Sequence, residues 1–217
     1  AADWQTPAPC VAFEVPSLDA GGMENVVATL ARQFSSQGFR ALVICDERGG
    51  SLAEELADEG IEVFVLGAHD PEGELAVFLS DQNVDVLAAH YSWLGIPAAV
   101  AQDIPVVMTV HNEYGWMGAA PDQPLRALDP FVHGYVAVSQ TVADFHAARF
   151  TIDSSRIAVV RNAVTGAVAP PLSAKRAEIR EQLQLDPQAL VLLLVGRIEP
   201  VKGQILLVEA VAHCRAA

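Results

Sequence analysis

Short apolar runs alternate with amphipathic stretches along most of this chain, beginning at Cys10. CVAFEV (10–15) reads as a strand, and in MENVVATLARQFSSQG (23–38) Val26, Val27, Leu30, Ala31 and Phe34 recur on one helical face. The alternation continues with the strand FRALVIC, the helix SLAEELADEG with Gly60 as its stop, and the strand IEVFVL. Then come the helix ELAVFLSDQN, the strand VDVLAAH, a helix around LGIPAAVAQ and the strand PVVMTVH. GYVAVS, SQTVADFHAARF and RIAVVRN add a strand, a helix and a strand. About seven strands result, most of them uninterrupted apolar runs, as expected when helices cover both faces of a parallel sheet.

AVTGAVAPPLS breaks the rhythm with a Gly, a Pro pair and no amphipathic pattern, and reads as a linker. The βα pattern then restarts: SAKRAEIREQLQL as helix, ALVLLLVG as a fully buried strand, a basic loop, and QILLVEAVAHCRAA as helix. One strand between two helices cannot complete a parallel sheet. The expected division is a first α/β domain over 9–164, a linker over 165–172 and an incomplete second α/β domain over 173–217.

Charge narrows the function classes. The formal net charge is −14, and residues 1–165 carry 7 Lys and Arg against 22 Asp and Glu, whereas residues 166–217 carry 6 against 5. A nucleic-acid binder or a protein held to anionic lipid needs clustered cations, so neither is expected. Cys10, Cys45 and Cys214 are odd in number, far apart and set in apolar runs, the pattern of buried thiols in a reducing compartment. No apolar run approaches a membrane span, and AADWQTPAP lacks the features of a signal peptide, so a cytoplasmic location is expected.

In doubly wound sheets ligands lie beyond the carboxyl ends of the strands. After the first strand, PSLDAGGMEN places Gly21 and Gly22 at a helix start, where backbone can approach a ligand or simply turn tightly. After the fifth comes HNEYGW, in which His111 could donate to a substrate hydroxyl, stabilise charge, or be a satisfied strand-end histidine like His90. Tyr114 and Trp116 could stack on a sugar ring or cover the sheet. His69, His133, His146 and His213 show no metal-ligand spacing, so no metal site is expected. In VGRIEPVKG, Arg197 can fork onto a phosphate and Lys202, one of two lysines in the chain, adds a point charge near the next helix start. The same residues could instead be solvated or paired with Glu199. Neither G-x-x-x-x-G-K-[ST] nor a leading G-x-G-x-x-G is present.

Taken in order, PSLDAGGMENVVATLARQF, VMTVHNEYGW, GYVAVSQTVADFH, RIAVVRNAV and LLLVGRIEPVKG resemble the GT-B glycosyltransferases of family 4, from about Pro9 to the end of the chain. The resemblance implies a Rossmann-like doubly wound first domain facing a second across a cleft, and retaining, metal-independent sugar transfer with no cofactor. The partners it implies are a nucleotide-sugar donor and a sugar, lipid-linked or small-molecule acceptor. Gly21 and Gly22 match the glycine loop near the donor diphosphate, His111 the histidine facing the transferred sugar, and Arg197 and Lys202 the pair that neutralises the diphosphate. Glu24 matches the acid after the glycine loop, and Glu24, Asn112 and Tyr114 are assigned to the acceptor side.

Relatives of this type continue past the basic loop and carry a glutamate pair spaced E-x₇-E, which Glu199 and Glu209 do not form. The resemblance therefore implies a first domain plus the first piece of a second, inactive by itself, whose open sheet edge would allow self-association. Two other readings stand beside it: a non-catalytic acceptor- or partner-binding module, and a sugar-nucleotide epimerase.

Overall fold

The computed structural model describes residues 8–113, 122–163 and 173–216. The chain divides after Thr165 into two compact units, each taken by itself below. The first unit alternates β1 (Cys10–Ser17), α1 (Gly22–Ser36), β2 (Arg40–Arg48), α2 (Ser51–Asp58), β3 (Glu62–Val65), α3 (Pro71–Asp81), β4 (Val86–His90), α4 (Ile96–Ala101), β5 (Val106–Val110), α5 (Asp122–Leu128), β6 (Gly134–Ala137), α6 (Gln140–Phe150) and β7 (Ile157–Val159). The apolar runs thus form the seven expected strands. Helix α5 is an addition to the expected elements.

All seven strands pair in parallel in the order β3-β2-β1-β4-β5-β6-β7. The chain first builds outward from β1 through β2 to β3, then returns to β1's other side with β4. That reversal opens a crevice beyond the carboxyl ends of β1 and β4.

Alternation along each strand divides the core between the two faces of the sheet. Phe13, Val15 and Val43 are buried with Val27 and Ala31 of α1 and Leu56 of α2. Ala12, Ile44 and Leu87 are buried with Leu75 and Leu79 of α3 and Ile96 of α4. The loops at the rim also interlock: Leu18 N–H donates to the Gly49 carbonyl at 2.7 Å and Leu52 N–H to the Leu18 carbonyl at 3.1 Å. Gly50 makes this approach possible. Its φ is 111°, and a Cβ there would lie 2.6 Å from the Leu18 carbonyl oxygen.

The second unit contains α7 (Ser173–Gln182) and α8 (Gln204–Ala216), with a short 3₁₀ turn at Pro200–Lys202. ALVLLLVG does not form the expected buried strand: Leu190, Leu193 and Val195 are 87%, 83% and 85% exposed. An apolar run becomes a strand only when a neighbour supplies ladder hydrogen bonds, and the described residues of this unit hold no strand. Cys10 and Cys45 are buried as expected, but Cys214 on α8 is exposed. The linker expected over 165–172 lies outside the described residues, as do Tyr114 and Trp116. Among the described residues no helix is long and apolar enough to cross a membrane.

The division of the core predicts two contrasting truncations. Leu87→Ala, in a fully buried central strand, should lower unfolding free energy by about 2–5 kcal/mol. Val77→Ala, 61% exposed, should change it by less than about 0.5 kcal/mol. Urea denaturation of both variants checks this; equal losses would contradict the packing described.

Candidate functional site

Strand β4 ends at His90, opposite Thr109 of β5, and β5 runs out at Val110, so His111 stands just past the same rim. The rings meet nitrogen to nitrogen, with His90 Nδ1 2.9 Å from His111 Nε2. His90 is fully buried beside Phe13, at a ring separation of 6.0 Å. Burial strips water from any cationic form and pulls His90 down to about 3, helped by the facing His111. Burial likewise takes His111 down to about 4. Both rings are therefore neutral at physiological pH.

Tyr91 lies flat against His111, at 5.5 Å and 12° between the rings. Its φ of 56° places a bulky side chain in the left-handed region, a strained conformation that the stack helps to hold. The Asn112 side-chain amide donates to the Tyr91 hydroxyl, and His146 Nε2–H of α6 donates to the Asn112 carbonyl at 3.0 Å. Burial pushes the Tyr91 phenol up to about 12 against the opposing effect of Asn112, with the charge of Glu24 adding to the rise. Glu24, in the first turn of α1, thus acts on the same group. Its carboxylate folds back over Gly21, where a Cβ would lie 2.1 Å from Glu24 Oε2, while Gly22 faces open space.

A second polar group sits deeper in the crevice. Glu14 of β1 is fully buried, and its Oε1 accepts hydrogen bonds from Ser92 Oγ at 2.8 Å and from Gly95 N–H at 2.7 Å. Ser92 Oγ also hydrogen-bonds Asp46 at the end of β2. One hydroxyl proton cannot serve two carboxylates, so this chain of groups holds an extra proton. Desolvation first, and then the charge of Asp46, pushes Glu14 up to about 8; desolvation raises Asp46 as well. Glu14 Oε2 and Asp46 Oδ1 are buried without a hydrogen-bond partner.

The structure thus brings Gly21, Gly22, Glu24, His111 and Asn112 to one rim of the first unit. Sequence reading named these but passed over Tyr91, Glu14, Asp46 and Ser92, and weighed His146 only as a metal ligand. Glu14 did leave a signal, as the charged residue in the apolar run CVAFEV; Ser92 left none. Among the described residues no group of three or more His, Cys, Asp or Glu is placed to hold a metal ion.

Arg197 and Lys202 share a compact loop in the second unit. Gln204 Nε2 donates to the Arg197 carbonyl at 2.6 Å, and Lys202 N–H donates to the Glu199 carbonyl at 3.0 Å. The Arg197 guanidinium pairs with Glu199 at 3.1 Å while remaining largely exposed, and Lys202 is exposed. The strand expected to carry this loop to the mouth of a sheet is not formed, so the loop's position rests on its own turn and on α8.

The sequence profile of Glycosyltransferase Family 4 matches residues 20–165. The chain belongs to that family. It is 28% identical to the D-inositol 3-phosphate glycosyltransferase of a Nocardioides species over 91% of its own length and 50% of the relative's. It is 33% identical to the enzyme of the same name from Mycolicibacterium gilvum, over 59% of this chain and 32% of that one. The chain thus spans about half or less of these relatives' length. Among solved structures, a glycosyltransferase from Rickettsia africae superposes with a TM-score of 0.77 at 21% identity, covering 96% of this chain and 58% of that one. Anabaena Alr3699/HepE in complex with UDP-glucose gives 0.78 at 19% identity, over 94% and 57%. The Rossmann-like GT-B fold is common to all three.

The buried acid makes stability depend on pH in a definite direction. Glu14 binds its proton more tightly folded than unfolded, so its contribution is complete below the ordinary carboxyl range and is lost as pH rises through about 8. His90 and His111 act oppositely, contributing above the ordinary histidine range and losing that contribution as pH falls towards about 4 for His111 and about 3 for His90. Glu14→Gln, which cannot ionise, should remove the loss of stability that develops between the ordinary carboxyl range and about pH 8 in a melting-temperature profile. An unchanged slope over that range would remove Glu14 as its source.

Proposed function

We propose that this chain belongs to a glycosyltransferase that moves a sugar from a nucleotide-sugar donor to a hydroxyl-bearing acceptor, with retention and without a metal ion. The family match over residues 20–165 carries this reading, because the matched region contains every rim residue from Gly21 to His146. The match also weighs for the transferase over the epimerase and the non-catalytic module. The names of the curated relatives and the UDP-glucose in the Anabaena complex support a sugar acceptor or small polyol and a nucleotide-sugar donor.

On this reading each unit has its own part. Gly21 and Gly22 let the backbone at the start of α1 come close to the donor, and the helix start directs N–H groups at its phosphates. His111 is the catalytic group facing the transferred sugar, a neutral ring that hydrogen-bonds without adding charge. Tyr91, Asn112 and Glu24 supply polar contacts for the acceptor, and Tyr114 follows them in sequence.

In the second unit Arg197 and Lys202 take up the negative charge that builds on the diphosphate as it leaves. Fixed cations aimed there stabilise the transition state more than the ground state. Arg197 is paired with Glu199 but is itself largely exposed, so its guanidinium can also meet a diphosphate. The 217 residues supply only part of the donor site on this reading and are expected to be inactive by themselves.

Release of nucleoside diphosphate by the full-length protein, assayed over a panel of nucleotide sugars and acceptors, tests the assignment. Turnover should occur with at least one pair and should persist in a chelator; loss of activity on chelation would reject the metal-free mechanism. Arg197→Ala combined with Lys202→Ala should raise the barrier by roughly 3–5 kcal/mol. An unaltered rate would show that the loop does not hold the diphosphate. Turnover by the 217-residue chain equal to that of the full protein would overturn its expected inactivity.

A further inference from the structure

At 2.9 Å between His90 Nδ1 and His111 Nε2, one nitrogen carries the proton and the other accepts it. Two neutral arrangements satisfy this contact. If His111 donated from Nε2, His90 would carry its own proton on Nε2. If His90 donates from Nδ1, its Nε2 is a bare lone pair and the proton of His111 sits on Nδ1.

The surroundings of His90 decide between them. Its Nε2 is buried without a hydrogen-bond partner, in a ring that is 1% exposed and bounded by Phe13. A buried N–H left without an acceptor is among the rarest features of native proteins. The bare Nε2 is the arrangement the burial favours. His111, by contrast, is partly exposed at the rim and held flat by Tyr91.

We propose that His90 is a positioning residue: its Nδ1–H donates to His111 Nε2, fixing the His111 ring and leaving His111 Nδ1–H as the donor offered to a ligand. His111 therefore acts as a neutral hydrogen-bond donor and not as a general base, since its only lone pair is engaged by His90. A ligand oxygen, a sugar hydroxyl or ring oxygen on the glycosyltransferase reading on which this rests, is the partner that suits it. The downward shift of both histidines by burial agrees with two neutral rings.

Imidazole ¹⁵N–¹H correlation spectra of the 217-residue chain at neutral pH, assigned with His111→Gln, read the tautomers directly. Both rings should be neutral with the proton on Nδ1. A proton on His111 Nε2, or a cationic ring, would overturn the proposal. In the full-length protein, His90→Leu removes the donor and should lower kcat on the order of tenfold to a hundredfold, as loss of a group that orients a working histidine does elsewhere. His90→Asn returns an N–H to the place of Nδ1–H and should recover most of that loss. A folded His90→Leu protein with the wild-type rate, or an Asn variant no better than Leu, would reject the positioning role. Absence of sugar transfer by the wild-type protein would instead refute the function proposed above, leaving the spectra to decide the tautomers.

Discussion

Every strand of the first unit runs the same way, so each crossover must carry the chain back the length of the sheet, and helices cover both faces. Side chains on either face then lose contact with water. Polar groups that remain useful are displaced to the rim where strands end and loops begin, and the reversal of order between β1 and β4 keeps that rim open at one place. The glycine start of α1, the histidines that follow β4 and β5, and the acids of β1 and β2 all gather there for this one reason.

Desolvation, rather than charge attraction, governs the chemistry of that rim. His90, His111 and Tyr91 are each displaced towards their neutral forms with burial as the first cause. Glu14 shows the same effect with opposite consequence, because the neutral form of a carboxyl holds a proton. In a unit with many more acidic than basic residues, the two histidines and Tyr91 thus offer hydrogen-bonding groups without charge beside Glu24, and cations such as Arg197 and Lys202 lie in the second unit.

The two units also show how far apolar sequence can be trusted. VDVLAAH and ALVLLLVG are similar in character, yet one is a central strand and the other is exposed. The difference lies in neighbours. β4 has β1 on one side and β5 on the other, whereas Leu190 to Val195 find no ladder partner among the described residues of their unit. The hydrophobic effect favours burial of such a run, but the backbone hydrogen bonds must be satisfied at the same time.

The sequence by itself determined the seven strands, most of the helices between them and the parallel sheet, because hydrophobic periodicity is a local property that survives in a string of residues. It also placed Gly21, Gly22, Glu24, His111 and Asn112 at element ends, where doubly wound folds keep their sites. Helix α5 escaped because DQPLRAL is short and carries a proline within it. What only the tertiary structure decided is who meets whom. Ser92 joins Glu14 from 78 residues away and Asp46 from 46, and His90 reaches His111 across 21. Those meetings follow from the strand order, which puts β1 between β2 and β4 and β4 beside β5. No periodicity encodes that order, since it is fixed by how all the strands pack at once.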